Sequence, residues 1–228
     1  LILNTYSVRF FKIRDSRIPG QENESGLGRE NVMGIGDTLE LEKRQRGGQF
    51  TEGLLDNELI VRSLNIRPGQ GIIDVGCGNG YMSKLFSKMV TQSGTVWALD
   101  SDAYFIRILS EETLGTNIEA LTGDISKPTQ LSESSADIIY ISAVIHAFSR
   151  EQMPGFLQEV KRLLKPDALL AVVEIEKKET PFGPPLKSRY SPEELKKIVP
   201  LIPVNTAQVG KHFYMQIFQN REKEENRP

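Results

Sequence analysis

Between residues 52 and 219, short apolar runs alternate with stretches whose apolar positions recur every three or four residues. Leu54, Leu55, Leu59, Ile60 and Leu64 make one helical stripe over Glu52 to Asn65. Arg67-Pro68-Gly69 then turns the chain into the apolar run Ile72-Ile73-Asp74-Val75. Tyr81, Met82, Leu85, Phe86, Met89 and Val90 form the next helical stripe. A second strand is expected over Gly94 to Asp100. A helix follows over Asp102 to Leu114, with Phe105, Ile106, Leu109 and Leu114 turned inward. Asn117 to Leu121 is the third strand. Ala136 to Ala143 is apolar almost without interruption, as in a strand buried on both faces. Glu151 to Leu164 is amphipathic, and Lys165-Pro166-Asp167-Ala168 reads as a turn into a fifth strand, Leu169 to Ile175. Ser191-Pro192-Glu193-Glu194 has the form of a helix start, Ser as cap, Pro first and Glu third. Val204 to Val209 and His212 to Gln219 alternate about Gly210-Lys211, as a β-hairpin does. Strands alternating with helices in this way predict an α/β fold wound about a mostly parallel sheet.

The ends do not share this pattern. Residues 1 to 51 show no sustained period and are expected to form a weakly ordered arm or a lid. Val8, Phe10, Phe11 and Ile13 alternate there with Arg9, Lys12 and Arg14, a cluster that suits either an anionic partner or plain solvent. The division expected is an arm over 1–51, a domain over 52–220 and a charged tail over 221–228.

Composition narrows the class. The 228 residues, 39% hydrophobic and 25% charged, suit one globular domain with a real core. The formal charge of -2 does not call for a nucleic-acid partner, although a local basic patch would allow one. One cysteine, Cys77, leaves no internal disulfide and favours a reducing, cytoplasmic setting. No run approaches the roughly 20 apolar residues of a membrane span. Leu1-Ile2-Leu3-Asn4 is too short for a secretory signal, and it lacks an initiator methionine, which leaves the true start of the chain open.

The chemistry centres on Asp74-Val75-Gly76-Cys77-Gly78-Asn79-Gly80, a strand end, a glycine loop and a helix start. Glycine lets backbone come close to a ligand, and a helix N-terminus presents free N–H groups. A dinucleotide site wants Gly-x-Gly-x-x-Gly, whereas here the spacing is Gly-x-Gly-x-Gly with Tyr81 next. Acids recur just past strand ends. Asp100 suits either a ribose diol, which gives a carboxylate two hydrogen bonds, or a helix cap. Asp124 in Thr122-Gly123-Asp124-Ile125 suits either a ligand or a turn.

The loop resembles the first motif of the class I S-adenosylmethionine-dependent methyltransferases. The resemblance extends over roughly residues 52 to 219 and includes Glu159-Val160-Lys161-Arg162-Leu163-Leu164-Lys165-Pro166 before strand five, where Asp167-Ala168 replaces the family's two glycines. It implies a doubly wound seven-stranded sheet, mostly parallel, with helices on both faces and the last strand antiparallel. It also implies that the cofactor is S-adenosyl-L-methionine. The residues it assigns to the cofactor are Asp74, Gly76, Cys77, Gly78, Gly80, Asp100, Ser101, Asp124, Ile125 and Ser142. Asp100 would take the ribose, Asp124 and the Ile125 amide the adenine.

The strand-four tip, Ser142-Ala143-Val144-Ile145-His146, is where the family places acceptor chemistry. It has no Asn-Pro-Pro-Tyr for an exocyclic base nitrogen, no Pro-Cys nucleophile and no acid for a divalent metal. No metal is expected. His146 is the candidate catalytic residue, as a general base; a histidine that merely packs there is the other reading. The tip resembles the Ser-Ala-Val-Leu-His-His stretch of quinone-biosynthesis-like methyltransferases, with Ala147 in place of the second histidine. This implies a small-molecule acceptor; the oligomeric state stays open between a monomer and a homodimer. An RNA or protein methyltransferase and a cofactor-binding scaffold without turnover are the alternatives.

Overall fold

The structure, a computed structural model, describes residues 51–221. The expected arm, apart from Thr51, and the expected tail, apart from Arg221, lie outside the described residues. The elements are α1 (Asn57–Leu64), β1 (Gly71–Val75), α2 (Tyr81–Val90), β2 (Thr95–Asp100), α3 (Ala103–Glu112), β3 (Ile118–Thr122), β4 (Ala136–Ser142), α4 (Gln152–Leu163), β5 (Leu164–Ile175), α5 (Pro192–Ile198), β6 (Ile202–Gly210) and β7 (Phe213–Gln219). A single-turn 3-10 helix, Ile145–Ala147, follows β4.

The seven strands form one sheet in the order β3-β2-β1-β4-β5-β7-β6. Pairings from β3 to β5 are parallel, whereas β7 runs antiparallel to both β5 and β6. The chain winds outward from β1 in both directions, so the strand order reverses between β1 and β4. A cleft opens at the carboxyl ends of strands at such a point.

Each face of the sheet carries its own core. Ile60 and Leu64 of α1, Met82, Phe86 and Val90 of α2, and Ile106 and Leu109 of α3 pack on one face. Phe156, Val160 and Leu163 of α4 and Leu195 of α5 pack on the other. Burying each such side chain contributes about 1.5–3 kcal/mol, which is what holds helices of this length to the sheet. Phe86 meets Tyr140 edge to face at 5.1 Å between ring centroids.

Several boundaries differ from the sequence expectation, each for a local reason. The first helix begins at Asn57, not Glu52: Gly53 has φ 75°, and Asp56 caps the helix by accepting from the Leu59 amide at 2.9 Å. Thr51 to Asp56 is thereby freed to run toward the glycine loop. Leu114 is 81% exposed rather than inward, because α3 ends at Glu112 and Leu114 lies in the turn that follows. The turn expected at Lys165–Ala168 is absorbed into β5 as an irregularity between the Ala136–Leu164 and Ile138–Leu169 pairings. Asp167 takes φ 62° there, and Asn220 holds the segment in the sheet. Its side-chain amide donates to the Leu164 and Lys165 carbonyls, and its backbone N–H donates to Ala168 O at 2.8 Å.

Candidate functional site

The carboxyl ends of β1, β2, β3 and β4 surround a cleft of about 190 Å³. Its wall includes Asp74, Gly76, Cys77, Gly78, Asp100, Ser101, Asp124, Ile125 and Ser142, residues scattered over some 70 positions of the chain.

The glycine loop makes one side. Gly76, at φ 68°, lies so close to Val144 that a Cβ would meet its Cγ2 at 2.4 Å. The Gly78 N–H donates to Asp100 Oδ2 at 2.9 Å. Asp100 Oδ1 accepts from the Asp102 N–H at 2.8 Å, while Asp102 itself caps α3 by accepting from the Tyr104 amide. A carboxylate has about four acceptor positions, so each Asp100 oxygen can still accept a hydroxyl. Burial, helped by the Asp102 charge, raises the pKa of Asp100 against the pull of those two amides and of the Ser101 amide. Gly80 is not on the wall. It stands behind the loop with φ 71°, and a Cβ there would lie 2.2 Å from Leu109 Cδ1. Its part is to let α2 start close against α3.

The floor is polar and buried. Asp74 and Tyr140 are register partners of β1 and β4. Ser83 of α2 donates to Asp74 Oδ2 at 2.5 Å. Burial pushes the Asp74 carboxyl up to about 7, opposed by the Ser83 hydrogen bond and helped by the Asp100 charge. Burial also raises Cys77, together with the Asp74 and Asp100 charges, so the thiol stays neutral and packs. The Tyr140 and Ser142 hydroxyls are buried on this wall, near enough to act on each other, but neither is held in a well-formed hydrogen bond. Even paired with each other they keep unused hydrogen-bonding capacity in a buried place, which suits a polar ligand.

Asp124 closes the far end. Burial raises its pKa, but the Ser126 hydroxyl and amide, which donate at 2.6 and 2.9 Å, and Lys127 at 3.3 Å outweigh this and lower it. Phe105, Val144 and Phe148 supply apolar wall. Glu52 joins from the N-terminal side and accepts from the Asn79 side chain at 3.1 Å. Tyr81 lines the cleft too, its hydroxyl in contact with Asn57. Among the described residues, no group of three or more His, Cys, Asp or Glu is disposed to hold a metal ion.

His146 is not on this wall. It sits on the 3-10 turn between Val144 and Phe148, which are, and its ring turns toward β5. Nδ1 lies 2.9 and 3.1 Å from the two carboxylate oxygens of Glu174. Beyond Glu174, Arg189 gathers the segment 176–184. Its guanidinium donates to the carbonyls of Glu176, Lys178, Phe182 and Pro184 and to the Thr180 hydroxyl. Burial lowers the Arg189 pKa, against the Glu179 and Glu174 charges.

Sequence reasoning passed over Tyr140, Glu174, Glu52 and the two phenylalanines. Tyr140 and Glu174 did carry a signal, since each is a polar group inside the apolar stretch of a central strand. Such a group must find a partner or a ligand. Glu52 and the phenylalanines carried none, because only the tertiary fold brings them to the cleft.

Comparison with known proteins agrees with this geometry. Residues 72–167 match a family described as "Methyltransferase domain". The chain is 27% identical over 155 residues to the ubiquinone/menaquinone biosynthesis C-methyltransferase UbiE of Paraburkholderia xenovorans, covering 67% of this chain and 58% of that protein. It is 28% identical over 133 residues to an uncharacterized methyltransferase of Synechocystis, covering 57% of this chain and 59% of the other. The chain thus spans somewhat over half the length of these curated relatives. Among solved structures, an S-adenosylmethionine-dependent methyltransferase from Aquifex aeolicus superposes with a TM-score of 0.69 at 28% identity, over 78% of this chain and 97% of that one. A type 11 methyltransferase from Sulfolobus solfataricus shares the fold, with a TM-score of 0.64 over 76% of this chain and 96% of the other at 19% identity.

Proposed function

We propose, from the premise that residues 51–221 form a class I S-adenosylmethionine-dependent methyltransferase domain, that the chain transfers a methyl group from S-adenosyl-L-methionine to a small-molecule acceptor. The observation that carries the proposal is the cleft itself. It joins a glycine loop, acids at the ends of successive strands and two buried hydroxyls at the strand-order reversal.

The residues fit that cofactor. Asp100 retains acceptor capacity for the ribose hydroxyls. Asp124, with the Ile125 amide beside it, serves the adenine. Asp74, Tyr140, Ser142 and the loop at Gly76 and Gly78 serve the charged amino-acid end, with Ser101 and Cys77 completing the wall. Bound there, the cofactor supplies an electrophilic methyl group on a sulfonium centre. What remains for the protein is to hold the acceptor in line, keep water out and accept a proton. Val144, Phe105 and Phe148 exclude water on the open side.

A small acceptor is supported by the likeness to UbiE, whose name describes C-methylation in quinone biosynthesis. Cytoplasmic residence is the matching expectation, given one buried cysteine and no possible disulfide within this sequence. Among the described residues, no helix is long and apolar enough to cross a membrane.

Calorimetric titration with S-adenosylmethionine, S-adenosylhomocysteine and NADH tests the reading. Micromolar binding of the first two and none of NADH is expected, followed by methyl transfer in a screen of small phenols, quinols and amines. No binding of either sulfur ligand would overturn the proposal.

A further inference from the structure

Five acidic side chains line the cleft: Glu52, Asp74, Asp100, Asp102 and Asp124. Among the described residues of its wall there is no lysine, arginine or histidine. Two of the acids face positive charge. Lys127 lies 3.3 Å from Asp124, and Asp102 caps α3, so it sits at that helix's positive end. The start of α2 adds a partial positive charge at the glycine loop. Lys84 reaches the Asn79 carbonyl of that loop at 3.5 Å, but its ammonium pairs with Glu112 at 2.7 Å. Among the described residues, Glu52, Asp74 and Asp100 meet neutral donors instead: the Asn79 side-chain amide, the Ser83 hydroxyl and two backbone amides. The wall therefore holds a surplus of negative charge.

The buried groups register this surplus. Burial raises Asp74, and the Asp100 charge adds to it. Burial raises Asp100, and the Asp102 charge adds to it. Cys77 is raised by burial and then by the Asp74 and Asp100 charges. In each case the part due to neighbouring charge is what a positive ligand in the cleft would offset. Phe105, Val144 and Phe148 make part of the same wall apolar, and a charge acts more strongly across apolar surroundings than across water. Asp74 and Asp100 are also buried enough that salt screens them little.

We infer that Glu52, Asp74 and Asp100 make the cleft discriminate by charge at the methyl-bearing atom, holding the sulfonium cofactor more tightly than the thioether product. The inference rests on the methyltransferase reading. At neutral pH S-adenosylmethionine carries a net positive charge, whereas in S-adenosylhomocysteine the carboxylate and the ammonium balance. As the acceptor's electron pair bonds to the methyl carbon, the bond between carbon and sulfur breaks with its electrons on sulfur. The sulfonium becomes a neutral thioether, and the positive charge leaves with the methylated acceptor or as a proton to water. The step that forms product thereby removes the charge that the three acids attract, and product release is favoured by the reaction itself.

Calorimetric titration of the full chain at neutral pH with three ligands reads this directly. Sinefungin carries a protonated amine where the cofactor carries its methylated sulfonium, so it shares the cofactor's charge without its sulfur. S-adenosylmethionine and sinefungin should each bind about tenfold or more tightly than S-adenosylhomocysteine. Glu52→Gln and Asp74→Asn each remove a charge and keep an acceptor for Asn79 or Ser83. Together they should shrink that preference by about fivefold. The ratio of the affinities cancels the ammonium, ribose and adenine contacts that the ligands share, so a merely structural loss would lower all of them and leave the ratio unchanged. Product bound as tightly as cofactor, sinefungin grouped with the product, or an unmoved ratio in the folded double variant overturns the inference while the methyltransferase reading stands. If neither S-adenosylmethionine nor S-adenosylhomocysteine binds, both fall together.

Discussion

The two sides of the strand-order reversal are built on opposite principles. On the β1–β2 side, most of the polar groups lining the cleft are tied to backbone: Asp100 accepts from two amides, Asp124 accepts from the Ser126 amide, and the loop is shaped by glycines. On the β4–β5 side, the buried polar groups meet other side chains, His146 meeting Glu174, with Arg189 gathering the loop beyond. Asp102 and Ser126 lie two residues from the acids they hold, a spacing that short patterns carry, although the Gly78 amide reaches Asp100 from 22 residues away. Groups held by side chains depend on partners distant in the chain, here 28 residues apart.

The comparison can be broken most forcefully at Gly80. Gly80→Ala forces a Cβ toward Leu109 at φ 71° and should cost about 2–4 kcal/mol of stability, seen as a lowered denaturation midpoint. A neutral result would mean that α2 and α3 are free to part, and that the loop is not held by packing.

Asp74 gives the next effect, and it depends on pH. Its folded-state pKa, about 7, stands above the ordinary 3.8, so the stability tied to its proton is full below about pH 3.8 and is lost as pH rises through about 7. Asp74→Asn should therefore gain on the parent between about pH 4 and about pH 7 in denaturant titrations. A difference that stays flat across that window would remove the argument from burial. Cofactor affinity of the parent should rise over the same interval, as Asp74 ionises toward the ligand's ammonium group.

Asp100→Ala should weaken S-adenosylmethionine binding by about 1–3 kcal/mol, since it removes a charged acceptor and frees the Gly78 amide. Unchanged affinity in a folded variant would sink the ribose assignment. The smallest effect on the cofactor is expected from Arg189→Lys. An ammonium cannot serve the four carbonyls and the hydroxyl that the guanidinium serves, so amide exchange should quicken over residues 176–189. S-adenosylmethionine affinity should stay within about twofold, and a larger loss would show that the two sides are coupled.

Much of the fold was legible because it rests on local rules. The β4 run Ile138 to Ile141 is buried throughout, as a strand covered on both faces must be. The Ser191 capping box forms as its spacing predicts. The start of the first helix was not legible. Its stripe continues through Leu54 and Leu55, and what stops it is the cap at Asp56 together with the Asp56 amide's bond to Val209 O, a residue of β6. The turn at Lys165–Ala168 was misjudged for a similar reason, because Asn220, far away in the chain, stitches it into the sheet.

The sequence by itself determined the order of strands and helices, the glycine loop and the acids at strand ends, because period, turn chemistry and capping act within a few residues. The tertiary structure decided which of these residues share a cleft. It left Gly80 behind the wall, set Tyr140 beside Asp74, and turned His146 toward Glu174. These are matters of sheet register and of which buried polar group must meet which partner. A buried polar group is satisfied by whatever the fold brings near, not by its neighbours in the chain.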